Sequence, residues 1–161
     1  MVVLIAAKAK DSEQIIIPKQ ALRFRIIANS NNVLDQQIKT QVRAAVEKKF
    51  NELLFNANTL AETKALISSN LVNIEATVAD ILEPFNTTYQ IGWGENYFPA
   101  KDFKGVIYEA GNYDSLVITI GEGQGENWWC VLFPPLCFLE NQNTTDVEYQ
   151  LYVSRIINYF K

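Results

Sequence analysis

The chain has 161 residues, 48% of them hydrophobic, enough for one sizeable core, whereas two independent domains would leave each half small. A formal net charge of -4 supplies no basic field for nucleic acid or for an anionic membrane surface, so neither is expected as a partner. Histidine is absent, which removes Ser-His-Asp and Cys-His catalysis, His-ligated metal sites and the ordinary neutral-pH proton shuttle.

Met1 to Ala7 is apolar apart from lacking any basic residue in front, and Ala7-Lys8-Ala9 resembles the small-x-small site cut by signal peptidase. The run is shorter than the roughly 7 to 15 apolar residues of a signal core. Residues 1–20 are therefore expected to be a truncated secretory signal or an ordinary extended N-terminal segment, ahead of one domain over residues 21–161. No other stretch approaches the roughly 20 apolar residues that span a bilayer.

Leu22 to Ala28 alternates Leu, Phe and Ile with Arg23 and Arg25, the period-2 pattern of a half-buried strand, and Asn29 to Asn32 breaks it. Asn32 is an N-cap, Asp35 suits the positive end of a helix dipole, and Leu34, Ile38, Val42, Val46, Phe50 and Leu53 recur at helical spacing. The first helix is predicted over residues 33–55. Thr59-Leu-Ala-Glu62 reads as a capping box that starts a second helix, with Ile67, Leu71, Ile74, Val78, Ile81 and Phe85 on one face. Pro84 ends it by disfavouring the α conformation at Glu83. The short residue 56–58 connection makes the two helices antiparallel neighbours.

After Pro84 the pattern turns to β. Residues 87–93, 105–109, 115–120 and 128–133 are strand candidates, the last apolar on both faces and so expected to be central, with helices on one side and another layer or a partner on the other. Thr145-Asp-Val-Glu148 is a further capping box, and Tyr149, Val153, Ile156 and Phe160 follow at helical spacing, although their β-branched neighbours also fit a strand. These elements make an α+β fold: a single domain with a mostly antiparallel sheet, two long N-terminal helices and a C-terminal helix.

Gly121-x-Gly123-x-Gly125 resembles a phosphate loop, but a dinucleotide fingerprint needs a helix after it, and here a strand follows beside Glu122 and Glu126. A connection that uses positive φ angles and a recognition loop that lets a partner's backbone come close are the two remaining roles. Glu122 and Glu126 next to Trp128 and Trp129 could imitate a glycosidase's acid, base and sugar platform, against the simpler reading of solvated loop carboxylates. Trp128 and Trp129 point to opposite faces of a strand, one for the core and one as a surface anchor. Arg23, Arg25, Lys39 and Arg43 either form a small basic patch or lie on a solvated face or in surface ion pairs, and Asn29 and Ser30 are ordinary turn and cap residues. Cys130 and Cys137 are either a reduced pair or a disulfide, as the compartment dictates, and the Pro134-Pro135 turn should bring them within bonding reach. Two thiols without histidine leave a zinc ligand set half empty, and Cys130 has no base or cation nearby to make it a nucleophile. No metal, cofactor or catalytic residue is expected.

The run over residues 121–138, GEGQGENWWCVLFPPLCF, packs three glycines, two tryptophans, two prolines and both cysteines into one stretch. It closely resembles the signature of the stage II sporulation protein R family. Two further blocks agree: Arg23-Phe-Arg25 through Ser30 with Asp35, Gln36, Lys39, Val42 and Arg43, and Phe98-Pro99 with Lys101, Gly105, Ala110-Gly111, Tyr113 and Leu116. Asn31, Ala44, Glu109 and Val117 depart from the family's usual residues. The resemblance implies a non-enzymatic protein exported from the forespore into the space between the two septal membranes. There it would activate the membrane-embedded aspartic protease that processes the precursor of the mother-cell sigma factor E. It also implies that Gly121, Gly123, Gly125, Asn127, Trp128 and Trp129, with the Asn29-Ser30 turn, meet that partner. The competing class is a protein that binds or hydrolyses cell-wall glycan through the same glutamates and tryptophans.

Overall fold

The computed structural model describes residues 14–137 and 145–161. Its elements run β1 (Ile15–Ile16), β2 (Leu22–Ile27), α1 (Val33–Leu54), α2 (Leu60–Ser69), α3 (Leu71–Leu82), a 3-10 turn (Glu83–Phe85), β3 (Tyr89–Phe98), β4 (Lys101–Phe103), β5 (Val106–Tyr108), β6 (Gly111–Ile120), β7 (Asn127–Phe133) and α4 (Asp146–Tyr159). This is the expected α+β domain, with its strands divided between two sheets.

The larger sheet has the order β3-β6-β2-β7 and the smaller one β1-β5-β4. Antiparallel ladders join β3 to β6, β2 to β7 and β4 to β5, while β2–β6 and β1–β5 are parallel, so each sheet is mixed. The parallel β2–β6 pair follows from topology: the chain leaves β2 through three helices and returns through β3, which reverses direction before β6. Strand β7 is an edge strand, not the central one its apolar faces suggested. It is nevertheless covered on both faces, because Cys130 and Leu132 enter the helix-side core while Val131 packs among Ile17, Tyr108, Tyr149 and Val153 on the other side.

The helix-side core joins Phe24 and Ile26 of β2 and Leu116, Ile118 and Ile120 of β6 to Ile38, Val42, Val46 and Phe50 of α1 and Ile74, Val78 and Leu82 of α3. The α1 positions are the ones helical spacing selects, and the Asn32 side chain accepts from the Asp35 N–H at 2.7 Å as an N-cap. Both capping boxes form, at Thr59 with Glu62 and at Thr145 with Glu148. On α4 the buried face is Tyr149, Val153 and Ile157, one position along from the expected Ile156.

The predicted second helix is broken. Helices α2 and α3 meet at 61° around Asn70, whose ψ of 13° leaves the helical range. The Ser69 hydroxyl and the Asn70 amide both donate to the Leu66 carbonyl, at 3.2 and 2.9 Å, and so compete with the backbone ladder. The bend lets α3 make the main packing along α1. At its far end Glu83 keeps helical angles (φ -52°, ψ -48°). The helix therefore stops because Pro84 has no N–H to donate and Asn86 turns left-handed at φ 49°, rather than through an extended Glu83. No single helix among the described residues is long and apolar enough to cross a membrane.

Candidate functional site

The glycine run and the Asn29–Asn31 turn, widely separated in sequence, are locked together. Gly125 N–H donates to the Ala28 carbonyl at 2.8 Å, Gln124 N–H to the Asn29 carbonyl at 3.1 Å, and Glu122 N–H to Asn29 Oδ1 at 2.8 Å. Glu126 N–H reaches Asn31 Oδ1 at 2.6 Å, and the Lys39 ammonium donates to the Glu126 carbonyl at 2.9 Å. The glycines serve this internal contact. A Cβ on Gly125 would run into the Ser30 carbonyl group, and one on Gly121 into the Asn29 side chain. Gly123 has φ 62°, with Thr119 Cγ2 only 2.6 Å from where its Cβ would stand. The loop's outward surface is made by Glu122, Gln124 and Glu126, which are exposed.

Asp35, one turn into α1, organises the other half of the junction. Its carboxylate accepts from Ser30 Oγ at 2.6 Å, Asn29 Nδ2 at 2.8 Å and Asn32 Nδ2 at 3.1 Å. The bonds from Ser30 and Asn29 hold its pKa below the ordinary carboxylate value. Asn29 thus spends its amide on Asp35 and its carbonyl oxygen on Glu122. Ser30 and Asn29 are more than turn formers: they connect a helix N-terminus to the glycine loop.

Trp128 and Trp129 do face opposite sides of the sheet, but both are half-buried, so neither is a free anchor. Trp128 packs edge-on to Phe24 at 5.4 Å, and the Arg43 guanidinium lies 4.2 Å over its ring. Its Nε1 is buried without a hydrogen-bond partner. Trp129 packs against Phe98 at 5.5 Å on the outer face. Opposite placement denies the pair a shared platform beside Glu122 and Glu126, which the glycan-hydrolase reading would need. Cys130 and Cys137 form a disulfide with Cα atoms 5.1 Å apart, so Cys130 is not a free thiol.

The four cations singled out from the sequence do not form one patch, because they divide between the two sides of the sheet. Lys39 and Arg43 lie on the helix side. Arg23 and Arg25 share the outer face with Trp129, since Arg25 pairs with Trp129 across one ladder and with Val117 across the other. Arg23 is not solvated; it is 1% exposed, because the smaller sheet and α4 form a layer that the alternation of β2 could not reveal. Its guanidinium carbon lies 4.2 Å from the Phe98 ring centre, 4.8 Å from Tyr113 and 5.3 Å from Tyr108. Arg25 lies 5.0 Å from Phe98 and 5.1 Å from Trp129. Desolvation lowers the pKa of both, opposed at Arg23 by the Tyr113 and Tyr108 hydroxyls. Arg23 Nε and Nη1, Arg25 Nε and Asn127 Oδ1 are buried without hydrogen-bond partners among the described residues, and all four atoms belong to this outer face. The cage was not legible in the sequence, because its rings come from three strands distant from β2.

The model of the stage II sporulation protein R family matches residues 18–143. A stage II sporulation protein R of Bacillus subtilis (strain 168) is 38% identical over 146 residues, which cover 89% of this chain and 65% of the relative. The chain thus spans a little less than two thirds of that relative's length. No solved structure matches it.

Proposed function

We propose, from the premise that this chain belongs to the stage II sporulation protein R family, that it is a secreted sporulation signal acting between forespore and mother cell. A role in sporulation comes with the family. The finer reading is that the exported domain engages the membrane-embedded aspartic protease that cleaves the sigma factor E precursor, and activates it by binding rather than by chemistry of its own. The observation that carries this reading is the Cys130–Cys137 bridge inside the family signature. Disulfides persist outside the reducing cytosol, where a protein acting between two membranes would reside. The bridge ties the middle of β7 to the turn after it, so the signature is stapled at one end and held by the glycine lock at the other.

The test is to express the chain behind a heterologous secretory signal in cells carrying the protease and the sigma factor precursor. Precursor cleavage should appear with the exported chain and be absent with the same chain retained in the cytoplasm. Equal cleavage in both arrangements, or none with an exported and folded chain, would overturn the reading.

A further inference from the structure

We infer that the outer face of the larger sheet, around Arg25, Trp129 and Gly92, is a docking surface for an acidic segment of a polypeptide partner, with an Asp or Glu carboxylate seated on Arg25. The inference rests on the signalling role proposed above for its biological partner, but its chemistry stands on the geometry of the face.

Two guanidinium groups stand side by side on this face without an acid. Among the described residues the ion pairs are Arg43–Glu47 and Lys64–Asp114, and no carboxylate bonds Arg23 or Arg25. Burying a guanidinium without a counter-ion is costly. For Arg23 the aromatic cage offsets that cost through the ring quadrupoles. Arg25 is different, because it is only half-buried and its nearest ring lies 5.0 Å away, against 4.2 Å for Arg23. It is a cation held in place by aromatic rings with its hydrogen-bonding capacity unspent.

The floor beside it is cleared. Gly92 pairs with Val117 and Gly94 with Ser115, so both glycines belong to the same face as Arg25. Glycine weakens a strand, and in a strand interior it often marks a place where another backbone or a ligand comes close. Among the described residues, internal packing does not require it at position 92, where a Cβ would find its nearest atom, Asn96 Oδ1, at 3.8 Å; Gly94 has no described atom within 4 Å above it, though its φ of 142° already calls for glycine. In a chain of net charge -4, a cation on this face that has no acid of its own is complementary to an acidic segment.

The experiment has two arms on the full, oxidised chain. In the first, an acetylated nonapeptide of alternating Glu and Val, and its Gln and Val counterpart, are titrated while backbone amide spectra are recorded. The Glu peptide should shift the signals of Gly92, Val117 and Trp129 and bind at least about tenfold more tightly than the Gln peptide, and Arg25→Glu should remove the difference, about 1.4 kcal/mol. In the second, Arg25→Glu, Arg25→Lys and Gly92→Leu are compared in the exported-chain cleavage assay, with thermal unfolding as the check on folding. Arg25→Glu and Gly92→Leu should lower cleavage about tenfold while Arg25→Lys largely keeps it. Equal response to both peptides, or shifts confined to another face, would overturn the docking surface. So would full cleavage with both disruptive variants. If Arg25→Glu does not fold, Gly92→Leu decides, since a Cβ at position 92 meets only ordinary van der Waals contacts. Failure of the wild-type chain to trigger cleavage, with the peptide result intact, would remove the proposed partner and leave the surface.

Discussion

Gly125→Ala tests whether the glycines of the signature serve the internal lock. A Cβ there would collide with the Ser30 carbonyl oxygen and would stand 2.7 Å from the Ser30 carbonyl carbon and 2.8 Å from Ala28 Cβ. These obstacles are backbone and a short side chain, so none can swing aside. Ser30 O is further held by Gln36 Nε2 at 3.0 Å. Relief must therefore separate the loop from the turn and loosen the Gly125 to Ala28, Gln124 to Asn29 and Glu126 to Asn31 bonds. Losing one or two of these bonds at about 0.5–1.5 kcal/mol each, with about 1–3 kcal/mol for overpacking, gives a destabilisation of about 1.5–6 kcal/mol, centred near about 4 kcal/mol.

Urea unfolding of the oxidised chain, followed by far-ultraviolet circular dichroism, measures it. With a slope of about 1–3 kcal/mol per molar urea, the midpoint should fall by on the order of 1–2 M. Gly92→Ala is the control, because its Cβ has room. It should leave the midpoint unchanged or raise it, by up to about 1 kcal/mol in stability, since alanine restricts the unfolded chain. Equal destabilisation by the two substitutions, or a Gly125→Ala loss under about 0.5 kcal/mol, would refute the lock.

Reduction of the Cys130–Cys137 bridge, which closes a sequence separation of 7, should cost roughly 2–3 kcal/mol on the chain-entropy account, read as a reductant-dependent urea midpoint that the Cys130→Ser, Cys137→Ser double variant no longer shows. Thr145→Ala removes the acceptor of the Glu148 N–H and should lower stability by about 1 kcal/mol, while Thr145→Ser restores it; equal stability of all three would show that the α4 cap contributes nothing. Asp35 has a folded pKa below its ordinary value of 3.8, so its stabilisation is full above that value and is lost as the pH falls through the folded pKa. Stability measured from about pH 5 downwards should therefore fall less steeply in Asp35→Asn than in the wild type, and parallel curves would refute the assignment.

The helices and their caps were legible because each rests on local rules. Asn32, Thr59 and Thr145 each satisfy a backbone N–H three residues on, and the 3-and-4 spacing in α1 selects the buried Ile38, Val42, Val46 and Phe50. The break at Asn70 needed a different signal, the Ser-Ser-Asn run whose side chains reach back to the Leu66 carbonyl and the neighbouring hydroxyl. Sheet order was beyond local rules. An apolar strand such as β7 can be buried on both faces by layers above and below while its edge is unpaired, so two-faced burial does not identify a central strand. Strands β1 and β4 are only two and three residues long, too short to show a period.

The signature loop illustrates how a recognisable motif can serve the fold itself. Its glycines permit close backbone approach, as expected, and the backbone approached is the chain's own Asn29–Asn31 turn. That lock joins the C-terminal end of β2 to the N-terminal end of β7, where Ile27 meets Asn127 and Arg25 meets Trp129 in register. A one-residue slip would turn Trp129 towards α1 and bring Trp128 to the outer face, since side chains alternate along a strand. The glycines therefore govern the outer face from its end: they hold the register that stacks Trp129 beside Arg25, and Phe98 completes the stack from β3. Substitution at Gly125 should thus disturb the Arg25 surface as well as stability, and the two effects separate because Arg25→Glu alters the surface without touching the lock.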